Sequence, residues 1–100
     1  MRYFFLLALL LITATGCRSK AEYARIPKSQ LQQVERSAND GDIASARRLA
    51  RHWLFGYGDM ENARKWMFRA AELGDPIACK NLPGLGVTEL PSACKSLESP

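Results

Sequence analysis

At 100 residues and 11.2 kDa, with 47% hydrophobic and 24% charged residues, the chain has the composition of one small globular domain and is too short for a multidomain enzyme. Three cysteines, one histidine and 9% aromatic residues leave little material for metal or nucleophile chemistry. The formal net charge of +4 and a pI of about 9.2 favour anionic partners.

Arg2 supplies a minimal positive region, Tyr3 to Ile12 an uncharged apolar stretch, and Thr13-Ala14-Thr15-Gly16 a run of small residues before Cys17, the layout of a secretory signal. A membrane-spanning helix needs about 20 apolar residues. Here Arg18 and Lys20 end the stretch early, so residues 1–16 are expected to be cleaved. What remains, residues 17–100, is near the lower size limit for unaided folding. Ala14-Thr15-Gly16-Cys17 resembles the lipobox of bacterial lipoproteins: slim Thr15 and Gly16 suit the peptidase, while Ala14 stands where that family usually has Leu. The resemblance implies that the Cys17 thiol is lipidated and becomes the N-terminus. Acyl chains, at about 0.8 kcal/mol per buried methylene, then hold the chain on a membrane. The residue after the Cys is Arg18, not the Asp of inner-membrane retention in many Gram-negative bacteria. The resemblance therefore implies the periplasmic leaflet of the outer membrane.

Residues 17–28 are polar and mostly basic, and read as a flexible tether. Residues 29–82 read as a helical domain. Ser29 and Gln32 form an S-x-x-Q capping box that predicts a helix with Leu31, Val34 and Ala38 on one side, stopping near Asn39-Asp40-Gly41. Asp42 can cap a second helix, on which Ile43, Ala46, Leu49, Ala50 and Trp53 recur at helical spacing until Gly56-Tyr57-Gly58. Asp59 caps a third, with Ala63, Trp66, Met67, Ala70 and Leu73 as its apolar stripe and Gly74 at its end. Asp75-Pro76 starts a short fourth helix carrying Ile77, Ala78 and Leu82, because Asp accepts orphan N–H groups and Pro fits the first helical position. Residues 83–100 read as loop and tail. No stretch alternates as a strand does, so the expected class is all-α.

Ala38-Asn39-Asp40-Gly41-Asp42 recurs as Ala71-Glu72-Leu73-Gly74-Asp75 at an offset of 33 residues, and Leu49 and Leu82 keep that offset. A period of this length with two helices per unit predicts a short α-solenoid of antiparallel hairpins, about one and a half repeats long. Leu49-Ala50-x-x-Trp53-x-x-Gly56-x-Gly58, followed by Ala63-x-x-Trp66-x-x-x-Ala70-Ala71-x-x-Gly74-Asp75-x-x-Ala78-x-x-x-Leu82, resembles the Sel-one-like repeat, a relative of the tetratricopeptide repeat. It departs from that family in a shorter inter-helix loop, in Asp59 where an aliphatic residue is usual, and in Ala50 where Gly is common. The resemblance implies non-catalytic adaptor or scaffold work through protein–protein contacts. Small exported proteins resembling this family also include immunity proteins that neutralise interbacterial toxins. An envelope-stabilising structural role is a third expectation.

In an exported chain thiols usually join, so Cys79 and Cys94 are expected to form a disulfide that clasps residues 83–100 to the last helix. The alternative is a free, buried Cys79 beside an unpaired Cys94. These two and His52 lack the spacing of a zinc site, no catalytic motif occurs, and neither metal nor cofactor is expected. Arg47 and Arg51 on the second helix, and Arg64, Lys65, Phe68 and Arg69 on the third, form the candidate partner-binding set. Their like-charge i, i+4 pairs ask for an acidic answer, and Phe68 lies off the apolar stripe. The bland reading is a solvated basic face with Phe68 covered by the tail. For an exported, lipid-anchored chain the expected partner is an envelope or periplasmic protein of acidic character, or anionic headgroups, rather than nucleic acid.

Overall fold

The computed structural model describes residues 20–96. The signal peptide and Cys17 lie outside the described residues. Six helices follow one another: α1 (Lys20–Ala24), α2 (Lys28–Asn39), α3 (Ile43–Arg51), α4 (Met60–Glu72), α5 (Pro76–Asn81) and α6 (Ser92–Lys95). Helix α3 runs on into a π-helical turn (His52–Gly56), and α5 into a 3-10 turn (Leu82–Leu85). No strand occurs among the described residues, and the class is all-α. Helix α2 packs on α3, α3 on α4, and α4 on both α5 and α6.

Close helix approach is built from alanine. Ala46 and Ala50 of α3, and Ala63, Ala70 and Ala71 of α4, are fully buried, so backbones meet with little side chain between them. Leu49, Trp66, Met67 and Leu82 fill the remaining space. A buried Trp of this kind contributes on the order of 3 kcal/mol. Leu31 and Trp53 pack at the edge of this core. Ile77, one of the apolar residues of the expected fourth helix, faces outward at 52% exposed. Helix α5 is short and Ala78 alone is its buried face, so the adjacent position turns to solvent.

The recurrence at offset 33 is geometric as well as compositional. Gly41 and Gly74 both have positive φ, +108° and +92°. Gly41 N–H donates to Ala38 O and Asp42 N–H to Ser37 O; Gly74 N–H donates to Ala71 O and Asp75 N–H to Ala70 O. Each is the paired closure of a Schellman turn, which satisfies the last carbonyls of the helix before it. The caps that open the following helices differ. Asp75 Oδ1 accepts the Ile77 N–H at 3.1 Å, while Asp42 has no backbone cap bond and accepts the Ser45 hydroxyl at 2.6 Å. Asp59 accepts the Asn62 N–H at 3.1 Å and the Asn62 amide at 2.8 Å, which hold its carboxyl below the ordinary range.

Two sequence expectations change here. The Ser29/Gln32 capping box does not form: α2 begins at Lys28, and Pro27 takes the N-cap position, its carbonyl accepting the N–H groups of Gln30 and Leu31. Proline needs no donor partner there, and it shifts Ser29 inside the first turn. The described part of the segment read as a tether is folded onto the domain. Helix α1 leads to Ile26, which is 4% exposed, and the α1 region packs on the π-helical turn. Gly56 makes that approach possible, since a Cβ at this position would lie 2.8 Å from Arg25 Cγ.

Candidate functional site

Of the six residues of the candidate partner set, four are engaged within the fold. Arg47 Nε and Nη2 donate to Asp75 Oδ2 and Oδ1 at 2.6 and 2.8 Å, a bidentate pair in which the Asp75 carboxylate is fully buried and the Arg47 side chain 35% exposed. This is the acidic answer to the like-charge pair, and the one ion pair among the described residues. It raises the Arg47 guanidinium above its ordinary value. Arg69 donates from Nε to Ala38 O at 3.2 Å and from Nη2 to Asn39 O at 2.9 Å, satisfying carbonyls at the C-terminus of α2. Arg64 Nη1 donates to Leu85 O at 3.2 Å and ties α4 to the 3-10 turn. Phe68 is half-buried against the core. Lys65 is exposed with its ammonium 5.0 Å from the Trp66 ring centroid, and Arg51 is exposed with no carboxylate partner among the described residues.

What the fold does bring together is Arg47, Arg51 and a set of apolar side chains. A half-open depression of about 700 Å³ lies between the edge of α3 with its π-helical turn and the edge of α5 with its 3-10 turn. Arg47, Arg51, Leu54, Phe55, Met67, Ile77, Asn81, Gly84 and Leu85 line it, with no carboxylate among them. Phe55 and Ile77 are 61% and 52% exposed. A second, smaller depression of about 380 Å³ shares Arg51 and adds Tyr23, Ala24, Arg25, Ala44 and Arg48, again without a carboxylate. Phe55 and Leu85 escaped the sequence reading. Phe55 follows Trp53 and lies off the α3 stripe, and its outward position depends on the π-helical turn, which carries no sequence signature.

His52 is not positioned as a solvent-facing base. It is 2% exposed, and its Nδ1 accepts the Ile26 N–H at 2.8 Å. Trp53 and Tyr57 meet its ring edge-on, and the Arg25 guanidinium lies over Tyr57 while Nε donates to Gly56 O at 2.8 Å. Burial above all, then the positive charges of Arg25 and Arg48, push its pKa down against an opposing pull from Glu35. His52 is therefore the fastening point of the α1 segment. Cys79 on α5 and Cys94 on α6 form a disulfide, with sulfurs 2.06 Å and Cα atoms 5.5 Å apart. No three or more His, Cys, Asp or Glu side chains gather as a metal site among the described residues. Among the same residues no helix is long and apolar enough to cross a membrane.

No family model, curated protein or solved structure matches the chain.

Proposed function

We propose that this chain is a membrane-tethered, non-catalytic binding module: a Sel-one-like helical-repeat lipoprotein of the bacterial envelope. In this reading Cys17 carries the lipid on the periplasmic face of the outer membrane, and the helical body engages another envelope protein. The observation that carries it is the same Schellman turn at Gly41 and Gly74, with the Arg47–Asp75 pair linking the helices that follow the two turns. Repeated hairpins bury their apolar faces against one another and leave lateral surfaces for partners, the working principle of solenoid modules. The Cys79–Cys94 disulfide suits an exported chain, since such bonds persist in oxidising compartments.

Labelling with a palmitate analogue tests the anchor. The label enters the wild-type chain and is absent from Cys17→Ala, which in addition leaves the membrane fraction. Equal labelling of both, or none of either, contradicts the anchor.

A further inference from the structure

Resting on the binding-module reading, we propose that the depression between α3 and α5 is the docking groove for an acidic amphipathic helix of the partner. Apolar side chains of that helix enter between Phe55 and Ile77, and its carboxylates meet Arg51 and the partly exposed Arg47 guanidinium. Four observations select this occupant.

The first is the pairing of exposed apolar walls with cations. Phe55 and Ile77 are large, more than half exposed and lie on the same concavity, whereas isolated exposed apolar residues would need no explanation. The second is charge. No carboxylate lines the groove, and Asp75, the acid paired with Arg47, is fully buried and not among its lining residues, leaving Arg47 Nη1 unpartnered among the described residues. That bidentate pair fixes the Arg47 plane in advance, so little side-chain freedom is lost on binding. The third is extent. Arg51 also borders the smaller depression with Arg25 and Arg48, so the cationic edge continues past the apolar groove. An acidic segment longer than the groove matches this; a single headgroup uses only one end. The fourth is shape. A small ligand is normally 70–90% buried in its pocket, whereas this depression is only half enclosed, which suits a partner's surface segment better. A second copy of the chain fits poorly, since each keeps a net charge of +3 once Arg2 leaves with residues 1–16, and the facing cationic edges would repel.

The test places a photo-reactive benzoylphenylalanine at Ile77 in the full chain, illuminated in intact cell envelopes, with the crosslinked peptide sequenced by mass spectrometry. The expected adduct is a protein segment of net negative charge with apolar residues spaced i, i+3 or i+4. Its yield falls at least tenfold in Arg51→Glu and Phe55→Ser and is unchanged in Arg36→Glu, an exposed charge outside the groove. Thermal melts verify that each variant is folded, and Arg51→Gln, which removes the charge without reversing it, gives an intermediate loss. Adducts with lipid, with a second copy of the chain, or with a neutral or basic segment overturn the proposal, as does a yield indifferent to Arg51→Glu. A second probe at exposed Glu61, outside the groove, separates the two levels of the account. A protein adduct there with none at Ile77 removes the groove and keeps the binding module; no protein adduct at either position removes both.

Discussion

His52 illustrates how one residue's protonation state is fixed by a contact far away in sequence. Because Nδ1 accepts the Ile26 N–H, the neutral ring must carry its proton on Nε2. Protonating Nδ1 would set two donors against each other inside a buried site. The fold therefore depresses the His52 pKa below the ordinary 6.5, with burial as the main cause and Arg25 and Arg48 assisting. The unfolded chain then binds the proton more readily than the folded one, so this contribution to stability is complete above pH 6.5 and declines as pH falls through the folded pKa. Urea denaturation at pH 7 and pH 5 should show lower stability at pH 5 in the wild type. In His52→Gln, an acceptor that does not titrate, the decline should be smaller, and an equal decline would assign it to carboxylates instead. His52→Ala leaves the buried Ile26 N–H without a partner and should cost about 1–3 kcal/mol at pH 7, and less at pH 5, where the wild type has already lost part of the His52 contribution. From the sequence alone His52, beside Trp53, is a surface or packing residue rather than a base, and the structure buries it. Its partner was not legible because Ile26 stands in a stretch whose polar, basic composition resembles a linker, and only the absence of a side chain at Gly56 lets that stretch close in.

At the scale of the element, two turns with the same backbone pattern carry aspartates with different work. Asp42 follows Gly41 and serves only the Ser45 hydroxyl on the surface. Asp75 follows Gly74, caps α5 and receives both Arg47 bonds while fully buried. Asp42→Ala should therefore change stability by less than about 0.5 kcal/mol, and Asp75→Ala should cost more than the ~1 kcal/mol of a lost N-cap. Thermal melts of the two variants provide the comparison, and equal costs would mean that the Arg47 pair adds nothing to the cap. The local signals were legible where the chemistry is local: Asp59 caps α4, and Asp75-Pro76 opens α5. They misled where a neighbour competes. Ser29 and Gln32 have the right spacing for a capping box, but Pro27 supplies the cap position two residues earlier without needing a donor partner. Ile77 is apolar but stands one residue from Ala78, about 100° round the helix, so with Ala78 facing the core Ile77 faces solvent.

For the whole molecule, the basic residues act first as internal fastenings. Arg47, Arg64 and Arg69 each join two elements, α3 to the start of α5, α4 to the 3-10 turn, and α4 to the end of α2. The sequence revealed their helical spacing but not their partners, since backbone carbonyls 21 and 31 residues away leave no trace in composition. Covalent closure adds to these ties. The Cys79–Cys94 bond spans a separation of 15 residues, and such a loop contributes about 3 kcal/mol by restricting the unfolded chain. Replacing both cysteines with serine should lower the melting temperature by more than about 10 °C in a domain of this size, and an unchanged melting temperature would show the clasp to be dispensable.

The most direct test of the account as a whole is crosslinked affinity capture of the full chain from intact envelopes, quantified by mass spectrometry for the wild type and Cys17→Ala. One envelope protein is expected to be enriched with the wild type, in an amount comparable to the bait, and lost when the lipid anchor is removed. Capture of no protein above background by a folded, membrane-bound wild-type chain would contradict it.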